Sequence, residues 1–335
     1  MSSKGAGEGQ FTPRSDCEIV IYWVQHLTKF RYKPAVRESV MELRMQPRSE
    51  GTQRCLSFEL TVKPSAVAMH YQDYMGNVVH HFDIAGSHSE LSLRAHSVVE
   101  VLPLANAHDR GAAGWQELDA VVAAGDYWEM LEPSTYPRPT QSLQQAARQL
   151  KIERRATPLA TLEYISQAIH HSFSYVPNST KVDSPIDDAL ESRKGVCQDF
   201  AHIMIALVRE LRIPCRYVSG YLFHGKNDRS TTSEGASHAW VEAMLPAMGW
   251  IGFDPTNDLA CGERHIRVAV GRDYADVPPT RGLYKGGGES ELSVAVTVAL
   301  SDPATSEEPA PATTLRRLTR SPEQRLKEAQ EQQQQ

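Results

Sequence analysis

Gly195-Val-Cys-Gln-Asp-Phe-Ala-His-Ile-Met-Ile-Ala-Leu-Val-Arg-Glu-Leu211 is the stretch whose reading decides the fold. Phe200, Ile203, Met204, Leu207, Val208 and Leu211 recur at helical spacing, and Ala201 and Ile205 widen the apolar stripe, so the helix they predict is central to its domain. Gly195 permits a close turn into that helix. Ile213-Pro214 ends it, because proline disfavours helical geometry in the residue before it. Cys197 therefore falls in the first turn, where free backbone N–H groups and the positive end of the helix dipole favour an anion. An ordinary thiol has a pKa of about 8.5, and a helix N-terminus or a neighbouring imidazolium brings it down to roughly 3.5–7.5. Taken alone, such a cysteine is equally readable as a small buried apolar residue.

The 335 residues leave room for two domains, and 41% hydrophobic with 23% charged residues is the balance of a globular chain. A net charge of -6 argues against a general nucleic-acid or anionic-membrane binder. No signal-peptide core or membrane-length apolar run is visible, so a cytoplasmic location is the expectation. Cys17, Cys55, Cys197, Cys215 and Cys261 are odd in number and lack Cys-x-x-Cys spacing, which argues against a disulfide framework and a zinc site. His70, His80, His81, His88 and His96 offer no helical ligand pair.

Residues 1–16 read as a flexible N-terminus, and 17–104 as strands broken at Pro47, Gly51, Pro64, Gly76 and Gly86, which fits an antiparallel β-sandwich. A proline-rich connector with one short helix spans 105–139, helices followed by strands fill 140–300, and 301–335 is a disordered or weakly helical tail. The fold class expected is α+β. Gly220 to Asn227 nearly matches a phosphate loop, but Asn227 stands where a magnesium-binding Ser or Thr belongs.

The chemistry comes from a hairpin. With Pro246 at its centre, paired residue numbers sum to about 492, which sets His238 opposite Asp254 across strands about 4.8 Å apart; a diagonal pairing also leaves them in reach. A carboxylate there can hold one imidazole nitrogen and leave the other for Cys197. Nucleophile, base and orienting acid suit acyl transfer, with the Cys197 N–H donating to the oxyanion.

Four ordered motifs resemble the bacterial transglutaminase-like superfamily: Gly195-Val-Cys-Gln-Asp-Phe-Ala-His, Ile213-Pro-Cys-Arg-Tyr-Val-Ser-Gly-Tyr, Ser237-His-Ala-Trp-Val-Glu and Gly249-Trp-Ile-Gly-Phe-Asp-Pro-Thr-Asn. The segment from Val24 to Val101, with His26-Leu-Thr-Lys-Phe-Arg-Tyr and Asp73-Tyr-Met-Gly-Asn, is similar to the β-rich domain that accompanies this core. The resemblance implies a papain-like core without metal or organic cofactor and carries the catalytic roles to Cys197, His238 and Asp254. It suggests pocket or oxyanion support from Tyr175, Gln198 and Trp240, while His202 and Cys215 read as structural. Nothing matches the acidic calcium sites of animal transglutaminases. The expected activity is peptidase- or amidase-type hydrolysis of a peptide or protein substrate through a thioacyl enzyme. Amine transfer to glutamine and a noncatalytic scaffold are the alternatives.

Overall fold

The computed structural model describes residues 19–103, 114–225 and 237–301. In chain order it runs through β1 (Val20–Val36), β2 (Glu38–Leu43), β3 (Gln53–Lys63), β4 (Met69–Gln72), β5 (Val78–Ile84) and β6 (His88–Val101). Next come α1 (Trp115–Ala124), α2 (Gln141–Gln149), α3 (Pro158–Ser172), β7 (Ser174–Tyr175), α4 (Ile186–Ser192), β8 (Lys194–Gly195) and α5 (Cys197–Glu210). The remainder is strand: β9 (Cys215–Leu222), β10 (His238–Leu245), β11 (Gly249–Asp254), β12 (Leu259–Ala260), β13 (His265–Gly271), β14 (Thr280–Lys285) and β15 (Glu289–Leu300).

Local chemistry explains the helix starts. Thr140 Oγ1 accepts from Leu143 N at 3.2 Å ahead of α2, and Thr157 Oγ1 accepts from Ala160 N at 3.1 Å ahead of α3, where Pro158 takes the first position. In α5, every residue from Gln198 to Arg209 is buried, so the helix has no solvent face. It runs through the middle of an apolar cluster built with α2, α3, α4 and the strands β9, β10 and β11. Those strands belong to a five-stranded antiparallel sheet of order β12-β11-β10-β9-β13.

Two four-stranded antiparallel sheets, β15-β1-β6-β3 and β14-β2-β5-β4, make up the rest. Both feed one apolar cluster containing Tyr32, Met41, Leu43, Phe82, Leu91 and Leu93. Two expectations need correction here. The strands expected over 17–104 include a first one of 17 residues, whose length is hidden in sequence because Gln25, His26 and Thr28 are buried polar residues that interrupt the apolar pattern. The boundary at 300 also fails as a description of packing. β14 pairs with β2 and β15 with β1, so 280–300 complete the N-terminal sheets rather than the core beginning at 140.

A third cluster joins the two parts: Tyr22, Val24, Val99 and Val101 pack against Tyr221, Ile266 and Val268. Polar groups reinforce it at the outer edge of β13. Asn77 donates from Nδ2 to the Val270 carbonyl and accepts from Val270 N, both at 2.8 Å. Gln53 does the same to Arg267, Nε2 to O and N to Oε1, again at 2.8 Å. Each side-chain amide thus substitutes for one peptide of a missing neighbour strand, which closes an edge that would otherwise be open for pairing.

Candidate active site

Cys197 opens α5, with Val196 in extended geometry before it. The approach is fixed by short links. Tyr175 pairs in parallel with Gly195, Val176 N donates to Gly195 O at 3.0 Å, and Val196 N donates to Asp199 Oδ2 at 2.8 Å. Thr180 Oγ1 donates to the same carboxylate oxygen at 2.5 Å, so buried Asp199 ties the turn on both sides. Side-chain hydrogen bonds at a helix start replace partners that its free N–H groups lack.

His238 begins β10 and Asp254 ends β11. Their strands pair with Val241 opposite Phe253 and Leu245 opposite Gly249, so the turn centres on Ala247 rather than Pro246. Continued, that register sets Trp240 and not His238 across from Asp254, which corrects the predicted pairing by two residues along β10. The side chains meet on the diagonal: His238 Nε2 donates to Asp254 Oδ2 at 2.8 Å, with both residues buried. Residues two apart on a strand share a face, so the contact survives the shift.

Asp254 is heavily solvated by protein donors. Oδ1 accepts from the backbone N–H of Thr256 at 3.0 Å and of Asn257 at 3.2 Å, and Oδ2 accepts from Asn257 Nδ2 at 2.8 Å as well as from His238. Burial alone would raise its pKa, but the His238 charge and hydrogen bond, with His265 adding to them, hold it well below the usual carboxylate range. For His238 burial works downward and is outweighed by Asp254 and then Cys197, which push its pKa up to about 10.

The second ring nitrogen, Nδ1, is buried and closes no well-aligned hydrogen bond among the described residues. Cys197 nevertheless lies near enough to act on the imidazole as an acceptor and as a charge. With Nε2 committed to Asp254, that interaction falls to Nδ1.

Trp240 is buried with its ring centroid 6.1 Å from His238 and 5.2 Å from His265. Gly220 makes room for it, and Gly252 makes room for Cys261. A Cβ on Gly220 would lie 2.2 Å from the Ile266 carbonyl and 2.5 Å from the indole, and one on Gly252 would lie 2.6 Å from Cys261 Cβ. Gln198 is otherwise engaged, its Nε2 donating to Val182 O at 2.8 Å, so that amide tethers the preceding loop. Tyr175 is placed beside Gly195 by its strand pairing, two residues before the sulfur. His202 accepts from Tyr274 N at 3.2 Å and stacks on Tyr136, with burial first and Arg209 second lowering its pKa to about 3. Cys215 is buried, which pushes its thiol up to about 11. Of the phosphate-loop stretch, Gly220 to Leu222 lies inside β9, and Lys226 and Asn227 fall outside the described residues.

The sequence reading missed His265. It begins β13 and points Nε2 at Asp254 Oδ2, 3.3 Å away. Strands are expected in the later part of 140–300, but a histidine in a strand carries no signal that an acid eleven positions earlier is its partner. His238, Asp254 and His265 bring three potential metal-ligand atoms within 4.8 Å of one another. Their protons argue against that use. Gly262 N–H faces His265 Nδ1 at 3.4 Å, which leaves the ring proton on Nε2 and so removes the lone pair a metal would need there.

Residues 22–100 match the family described as the bacterial transglutaminase-like N-terminal region, and 144–255 match the transglutaminase-like superfamily core. Uncharacterized protein ML0607 of Mycobacterium leprae is 37% identical over 277 residues, covering 82% of this chain and 97% of its own. A protein-glutamine gamma-glutamyltransferase of Pseudomonas aeruginosa is 31% identical over 142 residues, 39% of this chain and 21% of that one. Among solved structures, a candidate cysteine protease from Cytophaga hutchinsonii superposes with a TM-score of 0.68 at 21% identity, covering 86% of this chain and 93% of that chain. No described helix is long and apolar enough to cross a membrane. Matched in both of its parts, and along most of its length by the mycobacterial relative, the chain belongs to the transglutaminase-like superfamily.

Proposed function

We propose that the protein is a cysteine-dependent enzyme that cleaves or exchanges an amide in a peptide or protein substrate, with hydrolysis as its main outcome. The observation that carries this reading is the 2.8 Å bond from His238 Nε2 to Asp254 Oδ2, which leaves Nδ1 of the same buried ring uncommitted. In the first step the Cys197 thiolate adds to the amide carbonyl, and its electrons move to the oxygen. The Cys197 N–H, in the first turn of α5, donates to that oxyanion in this reading. Collapse expels the amine, which takes the Nδ1 proton of His238 as the C–N bond breaks. A thioacyl enzyme remains. Water then attacks it, His238 accepts the water's proton, and cleavage of the C–S bond returns the thiolate.

A primary amine in place of that water makes the same site a transferase, a reading favoured by the similarity to the P. aeruginosa gamma-glutamyltransferase. Iodoacetamide labelling, followed residue by residue in a mass spectrometer, tests the nucleophile. Cys197 should react at neutral pH far faster than Cys215, and equally slow reaction of both would favour a noncatalytic scaffold. Peptide libraries with trapping of the acyl enzyme identify the substrate, and ammonia release with and without an amine separates the two outcomes.

A further inference from the structure

We infer that His265 is a positioning residue, a neutral donor that holds the Asp254 carboxylate in the orientation which aims His238 at Cys197. This rests on the proposed nucleophilic role of Cys197. The geometry comes from three strands. Asp254 on β11 is reached at Oδ2 by His238 from β10 at 2.8 Å and by His265 from β13 at 3.3 Å. These two strands lie on opposite sides of β9, so the two histidines converge on the acid from separate parts of the sheet. His265 is buried, and Trp240 meets its ring edge to face at 5.2 Å.

Proton placement gives each histidine a different task. With Gly262 N–H directed at Nδ1, His265 carries its proton on Nε2 and gives it to Asp254. The titratable and charged groups around it are Asp254, His238 and Arg264. Burial first, with His238 and Arg264 in support, outweighs Asp254 and keeps His265 below the ordinary histidine range, so the ring stays uncharged while His238 holds the cation. Were both rings cationic, their repulsion around one acid would weaken the pair that activates the sulfur. A neutral donor adds direction without competing for the carboxylate charge.

Three variants of the full chain and one spectrum test this. His265→Phe keeps a flat ring against Trp240 and deletes the donor, whereas His265→Gln keeps an amide N–H at similar reach. The pH profile of Cys197 alkylation reads the sulfur–imidazole pair without needing a substrate. H265F should label about tenfold or more slowly at neutral pH, with its acid limb moved upward, as expected for loss of a hydrogen bond to a charged group. H265Q should recover most of the rate. In long-range 15N–1H spectra of the unmodified protein, His265 should show an Nε2–H tautomer that does not titrate near neutrality. Wild-type labelling and profile in H265F, equal impairment of H265F and H265Q, or a His265 that protonates near pH 6.5 would each overturn the proposal. Failure of the underlying nucleophile would look different: Cys197 would label no faster than in a Cys197-preserving His238→Ala control, and the assigned role would fall with it.

Discussion

His238 Nε2 and Asp254 Oδ2 are 2.8 Å apart although the strand register places Trp240, not His238, across from the acid. The bond is therefore a diagonal one, and its length depends on both side chains reaching along the sheet. Asn at position 254 would keep the size but remove the charge that holds the His238 proton. Asp254→Asn should lower turnover by about three to four orders of magnitude, as the loss of an orienting acid does in related triads. Cys197 alkylation at neutral pH should slow in parallel. A variant that folds and labels at the wild-type rate would remove Asp254 from the mechanism.

The same pair makes stability depend on pH with opposite signs on its two limbs. Asp254 has a depressed pKa, so its contribution is present above the unfolded value near 3.9 and is lost as pH falls through the folded one. His238 is raised to about 10, so its contribution is complete below roughly 6.5 and is lost as pH climbs through 10. Urea midpoints should accordingly be highest between about pH 4 and about pH 6.5 for this pair. Asp254→Asn should flatten both limbs relative to wild type. Parallel curves for the two proteins would show that other groups set the dependence.

Gly220 offers a steric test with a large expected effect. A methyl group there would sit 2.2 Å from a backbone carbonyl of β13 and 2.5 Å from the indole of Trp240, and neither neighbour is the loose end of a flexible chain. Gly220→Ala should cost about 3 kcal/mol or more, in the range of overpacked cores. Chemical denaturation reads the loss, and Trp240→Phe in the same background should return part of it. A midpoint unchanged within error would mean that the strands around Gly220 can separate freely.

How far these features are readable from sequence follows from the range of the physics behind them. The α5 helix and the first-turn place of Cys197 arise from local periodicity and a proline stop, and the structure has both. His238 and Asp254 flank one short turn, so hairpin geometry brings them together even with the centre misplaced by a residue. His265 arrives from a strand beyond β9, where no local rule applies. Likewise β14 and β15 have ordinary strand composition, and only pairing with β2 and β1 assigns them to the N-terminal sheets. Gln25, His26 and Thr28 conceal a long strand because their burial is decided by partners far away in sequence, such as Tyr221 for His26 at 2.9 Å.

Asn77 and Gln53 make the N-terminal sheets a structural part of the core rather than an appended unit. Together they occupy the N–H and C=O of both Val270 and Arg267 on β13, the strand that carries His265. Truncating Asn77 leaves a backbone donor and acceptor without their partner, at about 1–3 kcal/mol for each buried group not reached by water. Asn77→Ala should therefore lower stability by about 2–6 kcal/mol while leaving a single cooperative transition, since Tyr22, Val24 and Val101 still pack on Tyr221 and Ile266. Hydrogen exchange at the Val270 amide should accelerate most, with residues of α5 changing only by the global loss. If Val270 protection stays at its wild-type level, the amide bridge is dispensable and apolar packing alone joins the two parts.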